Sequence, residues 1–345
     1  MALLGLGPGA ASPAPDDTAA VADRSALSPT EAQALELQTP LEIRDEHVLA
    51  QDRLTLPAIG PDPVGRGATR LRVAYLWGNS FSWTQDREGE TPKDRRFLID
   101  GETRTLDLTL SHGLSASTDL SLRVPVRWRG GGTLDGFIDG WHRTFAFLGI
   151  ADGGRPAFLK DAFRVEGITT DQKAFSWNDE TGQGLGNVEL AGRWRFHQDR
   201  SALALIARAS LPTATAPFEG SWGGGLQLVV RRPLGASWDV HFGVGGTVES
   251  QPRDAGFLYS GARAQGFAAV TWRPWPRFSL SAESDVSSRL VKDIDRYPGV
   301  HWLINGGAKL AAFQRTVIEL GLTENIMDQR STTDFALYFG VVVRP

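Results

Sequence analysis

From Thr69 to the end of the chain, apolar and polar residues alternate with a period of two. In residues 120–129, leucine, valine and tryptophan occupy one set of alternate positions, whereas serine, proline and arginine occupy the other. Because successive side chains of a strand point to opposite faces, this alternation predicts a strand with one apolar and one polar face. The rhythm recurs in roughly twelve segments, many near the 9–11 residues with which a tilted strand crosses a bilayer.

The connections between these segments alternate in length. The short ones are residues 113–117, 198–200, 233–236, 274–276 and 312–314. The long ones are residues 85–96, 130–184, 213–221, 250–261, 290–299 and 326–332. Short turns at one end and long loops at the other are typical of an outer-membrane barrel, whereas a soluble β-sandwich has no reason to alternate in this way.

The fold predicted for residues 69–345 is therefore all-β: an antiparallel up-and-down transmembrane β-barrel of roughly twelve strands. One amphipathic helix is expected in the long outer loop at 130–184. An even number of strands would leave both termini on the periplasmic side of a bacterial outer membrane.

The polar face is expected to point inward and the apolar face outward. The residues predicted to line the lumen are Arg72, Asp107, Arg123, Arg127, Glu189, Arg193, Arg195, Asp239, His241, Glu283, Asp285, His301 and Glu319. The residues predicted to form two aromatic belts at the membrane surfaces are Phe81, Trp83, Trp128, Trp194, Trp222, Trp238, Trp272, Phe278 and Trp302. The alternative is a soluble β-protein in which these aromatic side chains fill an ordinary core.

Residues 1–68 lack strand-like alternation and are interpreted as a flexible leader, either disordered or a remnant of a signal region. Within it, Ser28, Pro29 and Glu31 have the spacing of a helix start with a capping box. The whole chain of 345 residues has no cysteine and a net charge of −4. This composition excludes disulfides and Cys-based metal or nucleophile sites, and it argues against a nucleic-acid partner.

The helix predicted in the long loop carries the strongest candidate for chemistry. Asp135, Asp139 and His142 recur at helical spacing on one side of it, separate from an apolar stripe. Such a set could bind a divalent cation or orient a histidine as a general base, or it could be a solvated polar face. We favour the polar face, because no nucleophile motif accompanies it, and we expect no metal and no cofactor. The apolar stripe could close the mouth of the barrel or lie against its outer rim.

Part of the chain, about residues 70–200, resembles a Gram-negative family of unknown function whose members are predicted to be outer-membrane β-barrels. The motifs that carry the resemblance are Ile99-Asp100-Gly101-Glu102-Thr103, His112-Gly113-Leu114, Pro125, Gly132, Leu134-Asp135-Gly136-Phe137-Ile138 and Trp141-His142. Trp77-Gly78-Asn79-Ser80-Phe81 and Gly184-Leu185-Gly186-Asn187 add weaker support. The resemblance implies a location and a fold, and it implies no activity.

The sequence favours a porin-like pore or passive uptake channel for small polar solutes over an enzyme. Inward-facing Arg123, Arg127, Arg193 and Arg195 would bias such a pore toward anions or sugar acids. One alternative is an outer-membrane enzyme that modifies lipid or glycan with Asp135, Asp139 and His142, and another is a structural or adhesion barrel without transport. The expected partners are outer-membrane lipid, the barrel-assembly machinery and a small solute.

Overall fold

A computed structural model of the chain describes residues 28–84, 95–145, 158–198, 201–251, 256–325 and 331–345. These residues contain the helices α1 (Pro29–Glu36) and α2 (Asp135–Phe145). The strands that precede the long insertion and those within it are β1 (Thr69–Trp83), β2 (Phe97–Gly113), β3 (Thr118–Gly130), β4 (Arg164–Ile168), β5 (Ala174–Ser176) and β6 (Gly182–Leu185). The later strands are β7 (Val188–Gln198), β8 (Ala202–Leu211), β9 (Gly223–Leu234), β10 (Trp238–Glu249), β11 (Ala262–Trp275), β12 (Phe278–Ser288), β13 (Val300–Phe313), β14 (Thr316–Glu324) and β15 (Phe335–Val343).

Twelve long strands form a closed antiparallel barrel, and this confirms the predicted fold class. Strands β7 to β15 pair in chain order, β1 pairs with β2 and β2 with β3. The barrel closes where β1 pairs with β15, in a register that runs from Leu71↔Val343 to Asn79↔Phe335. The short strands β4, β5 and β6 belong to the long loop and extend the ladders of β2 and β3 beyond the wall.

The two faces of the wall differ in composition as the alternation predicts. Leu120, Trp194 and Phe242 are exposed on the outer face, whereas Arg123 and His241 are buried on the inner face. An apolar exterior of this extent would be a severe aggregation liability in water but is matched by lipid. The exterior is therefore that of a membrane-spanning barrel. Neither helix of the described residues is long and apolar enough to span a bilayer.

We expect the folded protein to migrate differently from the heated protein in SDS gels. A closed ladder has no free edge from which strands can peel away, so SDS alone should leave the barrel intact until it is boiled. The test compares unboiled and boiled samples of the membrane-extracted chain. A single position for both samples would contradict a closed barrel.

The chain before the first strand differs from the expected leader. The predicted helix is confirmed as α1, which begins at Pro29 with a Ser28–Glu31 capping box. Every residue from 37 to 64 is buried or half-buried, because the segment lies inside the barrel instead of outside it. We call residues 37–64 the plug segment. Residues 1–27, which include the candidate signal region, lie outside the described residues.

Candidate functional site

The plug segment enters the lumen at the end of the barrel that carries the short turns. There, Gln33 of α1 donates hydrogen bonds to the carbonyls of Phe313 and Thr316, beside the turn from β13 to β14. The segment then reaches the opposite end, where the Val48 amide donates to the Ser80 hydroxyl at 3.1 Å. It returns to the short-turn end, where Gly67 N–H donates to the Gly113 carbonyl at 2.8 Å. The plug segment is therefore a hairpin that spans the lumen twice.

The outer loops cover the tip of this hairpin. Val48, Leu49 and Ala50 pack in one apolar cluster with side chains from the start of β2 and from three long loops. The loop residues of this cluster are Val165, Phe175, Trp177, Phe257, Tyr259, Leu290, Val291, Ile294 and Tyr297. The tip therefore provides a shared apolar surface on which the outer loops pack, and the packed loops cover the tip.

Ion pairs join the plug segment and α1 to the wall along the whole lumen. The pairs and their N–O distances are Glu36–Arg70 (2.8 Å), Glu36–Arg344 (2.6 Å), Glu42–Arg70 (3.2 Å), Arg44–Glu189 (2.9 Å), Asp52–Arg127 (3.2 Å), Arg53–Glu249 (3.4 Å), Asp62–Arg195 (2.9 Å) and Asp62–Arg231 (2.6 Å). Because water is largely excluded from these pairs, removal of one partner would leave a buried charge without compensation.

Polar wall side chains also satisfy the backbone of the plug segment. The segment contains no regular secondary structure after α1, so its buried amides and carbonyls need partners from elsewhere. Arg72 donates to the Leu41 carbonyl at 2.9 Å, and Arg193 donates to the Asp62 carbonyl at 2.7 Å. Gln265 accepts a hydrogen bond from the Leu56 amide at 2.9 Å. The polar side chains of the inner face thus provide the hydrogen-bond partners that the backbone of the plug segment lacks.

All thirteen residues that the sequence places in the lumen lie on the inner face of the wall. There they contact the plug segment or other side chains of the protein, and not an open water-filled pore. Arg123 lies between two wall carboxylates, at 2.6 Å from both Asp107 and Glu189. Other predicted arginines pair with acids of the plug segment, as Arg127 does with Asp52. The five predicted arginines therefore each lie against a carboxylate in this closed arrangement and do not face an open pore.

Sequence reasoning overlooked several inward residues that matter. Arg70, Arg208, Arg263 and Lys309 all lie on the inner face, and Lys309 is almost fully buried. The signal was present, because Arg70 stands two residues before the predicted Arg72 on the same strand face. Lys309 forms a 2.9 Å ion pair with Glu319 and donates to the Pro40 carbonyl at 2.8 Å.

The predicted aromatic belts divide into exposed and covered members. The exposed belt residues are Trp194, Trp222, Trp238, Trp272 and Trp302. Trp128 and Phe278 are half-buried on the same outer surface. Phe81 and Trp83 point outward but are buried beneath Phe158, whose ring lies 5.3 and 5.6 Å from theirs. These two side chains therefore do not face lipid, because the long loop folds back over them.

The apolar stripe of helix α2 was expected either to close the mouth of the barrel or to lie against its outer rim. In the structure it lies against the outer rim. Leu134 and Ile138 form an apolar cluster with Phe335, and Trp77 and Trp141 pack against that cluster. A strand residue fixes the start of the helix, because Glu102 accepts from the amides of Thr133 (2.6 Å) and Leu134 (2.9 Å).

The three candidate catalytic residues of α2 have separate partners. Asp135 accepts from the Asn79 side chain at 3.1 Å and from the Asp161 amide at 2.7 Å. Asp139 pairs with Lys160, and His142 faces Glu324 at 3.7 Å. In the part of the chain that the structure describes, no three or more such side chains are arranged to hold a metal ion. The contacts with Asn79 and Glu324 attach the helix to the barrel wall, and those with Lys160 and Asp161 attach it to the rest of the long loop.

Residues 21–344 match a family model described as Protein of unknown function (DUF3187). The chain belongs to this family. The matched region includes the plug segment as well as every strand, and it agrees with the resemblance seen in the motifs around Glu102 and Asp135. No curated protein matches the sequence.

The fold is similar to that of solved outer-membrane channels. The COG4313 outer membrane channel from Pseudomonas putida F1 superposes with a TM-score of 0.58 at 12% identity, covering 85% of this chain and all of that one. The NanC porin gives a TM-score of 0.43 at 8% identity, covering 81% of this chain and 100% of that one. The KdgM porin gives 0.41 at 8% identity, covering 79% and 98% respectively. At 12% identity, the likeness to the COG4313 channel shows the fold alone.

Proposed function

We propose that this protein is an outer-membrane channel for small polar solutes, closed by its own plug segment. The observation that carries the proposal is the hairpin of residues 37–64 inside a charged lumen. A twelve-stranded barrel is wider than the eight-stranded kind that its own side chains can fill, so it has room for a second chain segment or for a pore. The apolar exterior supports the location, with both chain ends on the periplasmic side.

In the described residues, the cavities beside the plug segment are too small to form a passage for a solute. Two cavities beside the plug segment each have room for only a few water molecules. Passage of a solute therefore requires the plug segment to move. An arrangement held by ion pairs suits such movement, because water can solvate both charges once they separate.

The open state is expected to favour anions. Arg127 and Arg129 both face Asp52 of the plug segment, and Arg195 and Arg231 both face Asp62. When the plug segment leaves, the two acids leave with it and the guanidinium groups turn to the solution. The contacts of α2 give no comparable support to the enzymatic alternative.

A pair of disulfide locks tests the proposal, since the chain has no cysteine of its own. A Cβ at Gly78 would lie 2.6 Å from the Cβ of Glu46, so Glu46→Cys with Gly78→Cys should tie the plug segment to the wall after a shift of about 1 Å. The control is Thr39→Cys with Gly60→Cys, whose Cβ atoms would lie 3.5 Å apart. This control joins the two arms of the hairpin and leaves it free to move as a unit.

In planar bilayers the oxidised wall lock should abolish conductance, and a reducing agent should restore it. The oxidised arm lock should conduct like the unmodified chain, with reversal potentials in asymmetric salt that indicate anion preference. Equal conductance in the oxidised and reduced wall lock would rule out the plug as the gate. Absence of conductance from every form, folded by the SDS test, would favour a structural or adhesion barrel.

The tip of the plug segment also gives the channel a pH dependence. Burial raises the pKa of Glu46 to about 7, against a hydrogen bond from Thr105 that lowers it. Because this pKa is raised on docking, the neutral carboxyl stabilises the plugged form at low pH, and that contribution is lost as pH rises through about 7. Open probability should therefore increase between pH 6 and pH 8, and Glu46→Gln should remove this step. A step of the same size in the variant would assign the titration to another group.

A further inference from the structure

A cavity in the middle of the lumen is lined by an unusual number of arginines. Its lining includes Arg44, Arg70, Arg72, Arg123, Arg193 and Arg208, from the plug segment and from four strands of the wall. Three carboxylates, those of Glu42, Asp119 and Glu189, share the lining. The guanidinium groups thus outnumber the carboxylates at the surface of a space that can hold water or a small ion.

Five of these arginines have a carboxylate partner within 4 Å, and Arg208 does not. Glu189, the carboxylate that attracts Arg208 most strongly, is bound by Arg44 at 2.9 Å and by Arg123 at 2.6 Å. Arg208 forms no ion pair or hydrogen bond within the described residues, and its buried Nε has no acceptor. A buried N–H without an acceptor is costly, because it has lost its hydrogen bonds to water.

The sequence leaves space around this side chain. On the inner face, the cross-strand neighbours of Arg208 are Ala191 on β7 and Gly225 on β9. Ala191 lines the cavity and is too small to fill the volume beside the guanidinium, whereas Leu56 of the plug segment lies over Gly225. The cavity has room for about two water molecules, which is comparable to the volume of one small oxyanion.

The plug segment contributes a second electropositive group. Burial, followed by the repulsion of nearby Arg123, lowers the pKa of Arg44 to about 9. The repulsion shows that several positive charges lie close together at this level of the lumen.

We propose that this cavity binds a small oxyanion of the size and charge of sulfate or hydrogen phosphate, held between Arg208 of the wall and Arg44 of the plug segment. Arginine is suited to this role because its planar fork donates two parallel hydrogen bonds to an oxyanion. The site exists only while the plug segment is docked, so the anion stabilises the plugged form by mass action. Binding does not require that the barrel conducts.

The test is calorimetric titration of inorganic sulfate into the full chain in detergent, with ionic strength held constant by chloride. Arg208→Gln should weaken sulfate binding by about tenfold or more, as expected for loss of charge-assisted hydrogen bonds. The matched control is Arg277→Gln, which removes an exposed arginine from a short turn. Diffraction from selenate-soaked crystals should place the anion in the cavity.

Sulfate binding that is equal in the Arg208→Gln variant and the unmodified chain would overturn the proposal, as would no binding by the unmodified chain. If the Arg208→Gln variant fails the SDS test for folding, Arg208→Lys replaces it. That variant keeps the charge, loses the fork and should bind sulfate more weakly than the unmodified chain. A barrel that binds sulfate but never conducts would leave the anion site standing and refute the channel.

Discussion

Replacement of residues 37–64 by a short glycine-serine linker should convert a closed barrel into a steadily conducting one. The wall does not need the plug segment for its own hydrogen bonds, since every long strand pairs with two neighbours around the closed barrel. The deletion removes both arms of the hairpin, which together fill the lumen. The outer loops also lose their apolar contact with Val48, Leu49 and Ala50, so the cover over the outer mouth should loosen.

Single-channel recording in planar bilayers measures this effect. The unmodified chain should show rare and brief openings, whereas the deletion variant should remain at a stable open level with anion preference. The SDS mobility of the deletion variant serves as the control, because a retained shift shows that the barrel has folded. A folded deletion variant that stays closed would mean that the outer loops, and not the plug segment, block the pore.

Asp52→Asn should open the channel without removing any of the plug segment. Asp52 is the carboxylate that faces both Arg127 and Arg129, and all three side chains are at least nine-tenths buried. Removal of one member of a buried charge set costs about 3–5 kcal/mol, and every 1.4 kcal/mol is a factor of ten in an equilibrium. The ratio of open to closed channels should therefore rise by about two to three and a half orders of magnitude.

The control for this variant is Asp171→Asn, which makes the same chemical change at an exposed position in the outer loop. Its open probability should equal that of the unmodified chain. If Asp52→Asn and Asp171→Asn behaved alike, the ion pairs at the tip would not be what keeps the plug segment docked.

The barrel was predictable from the sequence and the plug segment was not, for a physical reason. A strand of the wall repeats its environment every second residue, so residues 120–129 carry their own signature of lipid outside and polar lumen inside. The plug segment has no such repeat, because each of its residues meets a different partner far away in sequence. Leu41 donates to Glu283, and Leu54 donates to Glu249.

The outward aromatics show a similar limit. Their alternation correctly places Phe81 and Trp83 on the outer face, yet it contains no information on whether lipid or protein covers that face. The covering residue, Phe158, comes from the long loop more than seventy positions later in the chain. Likewise, the apolar stripe of α2 was visible in the sequence, but the sequence did not show where it packs. Its position on the rim depends on contacts with Trp77 in the first strand and Phe335 in the last, both far from α2 along the chain.

The hairpin course of the plug segment has a consequence for how the molecule is assembled. Its two arms reach the lumen through the same mouth, and Gly65 and Gly67 adopt φ of +99° and +70° where the second arm turns into β1. In the part of the chain that the structure describes, neither end passes through the ring of strands, so this part of the topology is free of knots. The ring can close first and receive the folded-back segment afterwards, and the same route lets the segment withdraw as a loop while every strand stays paired.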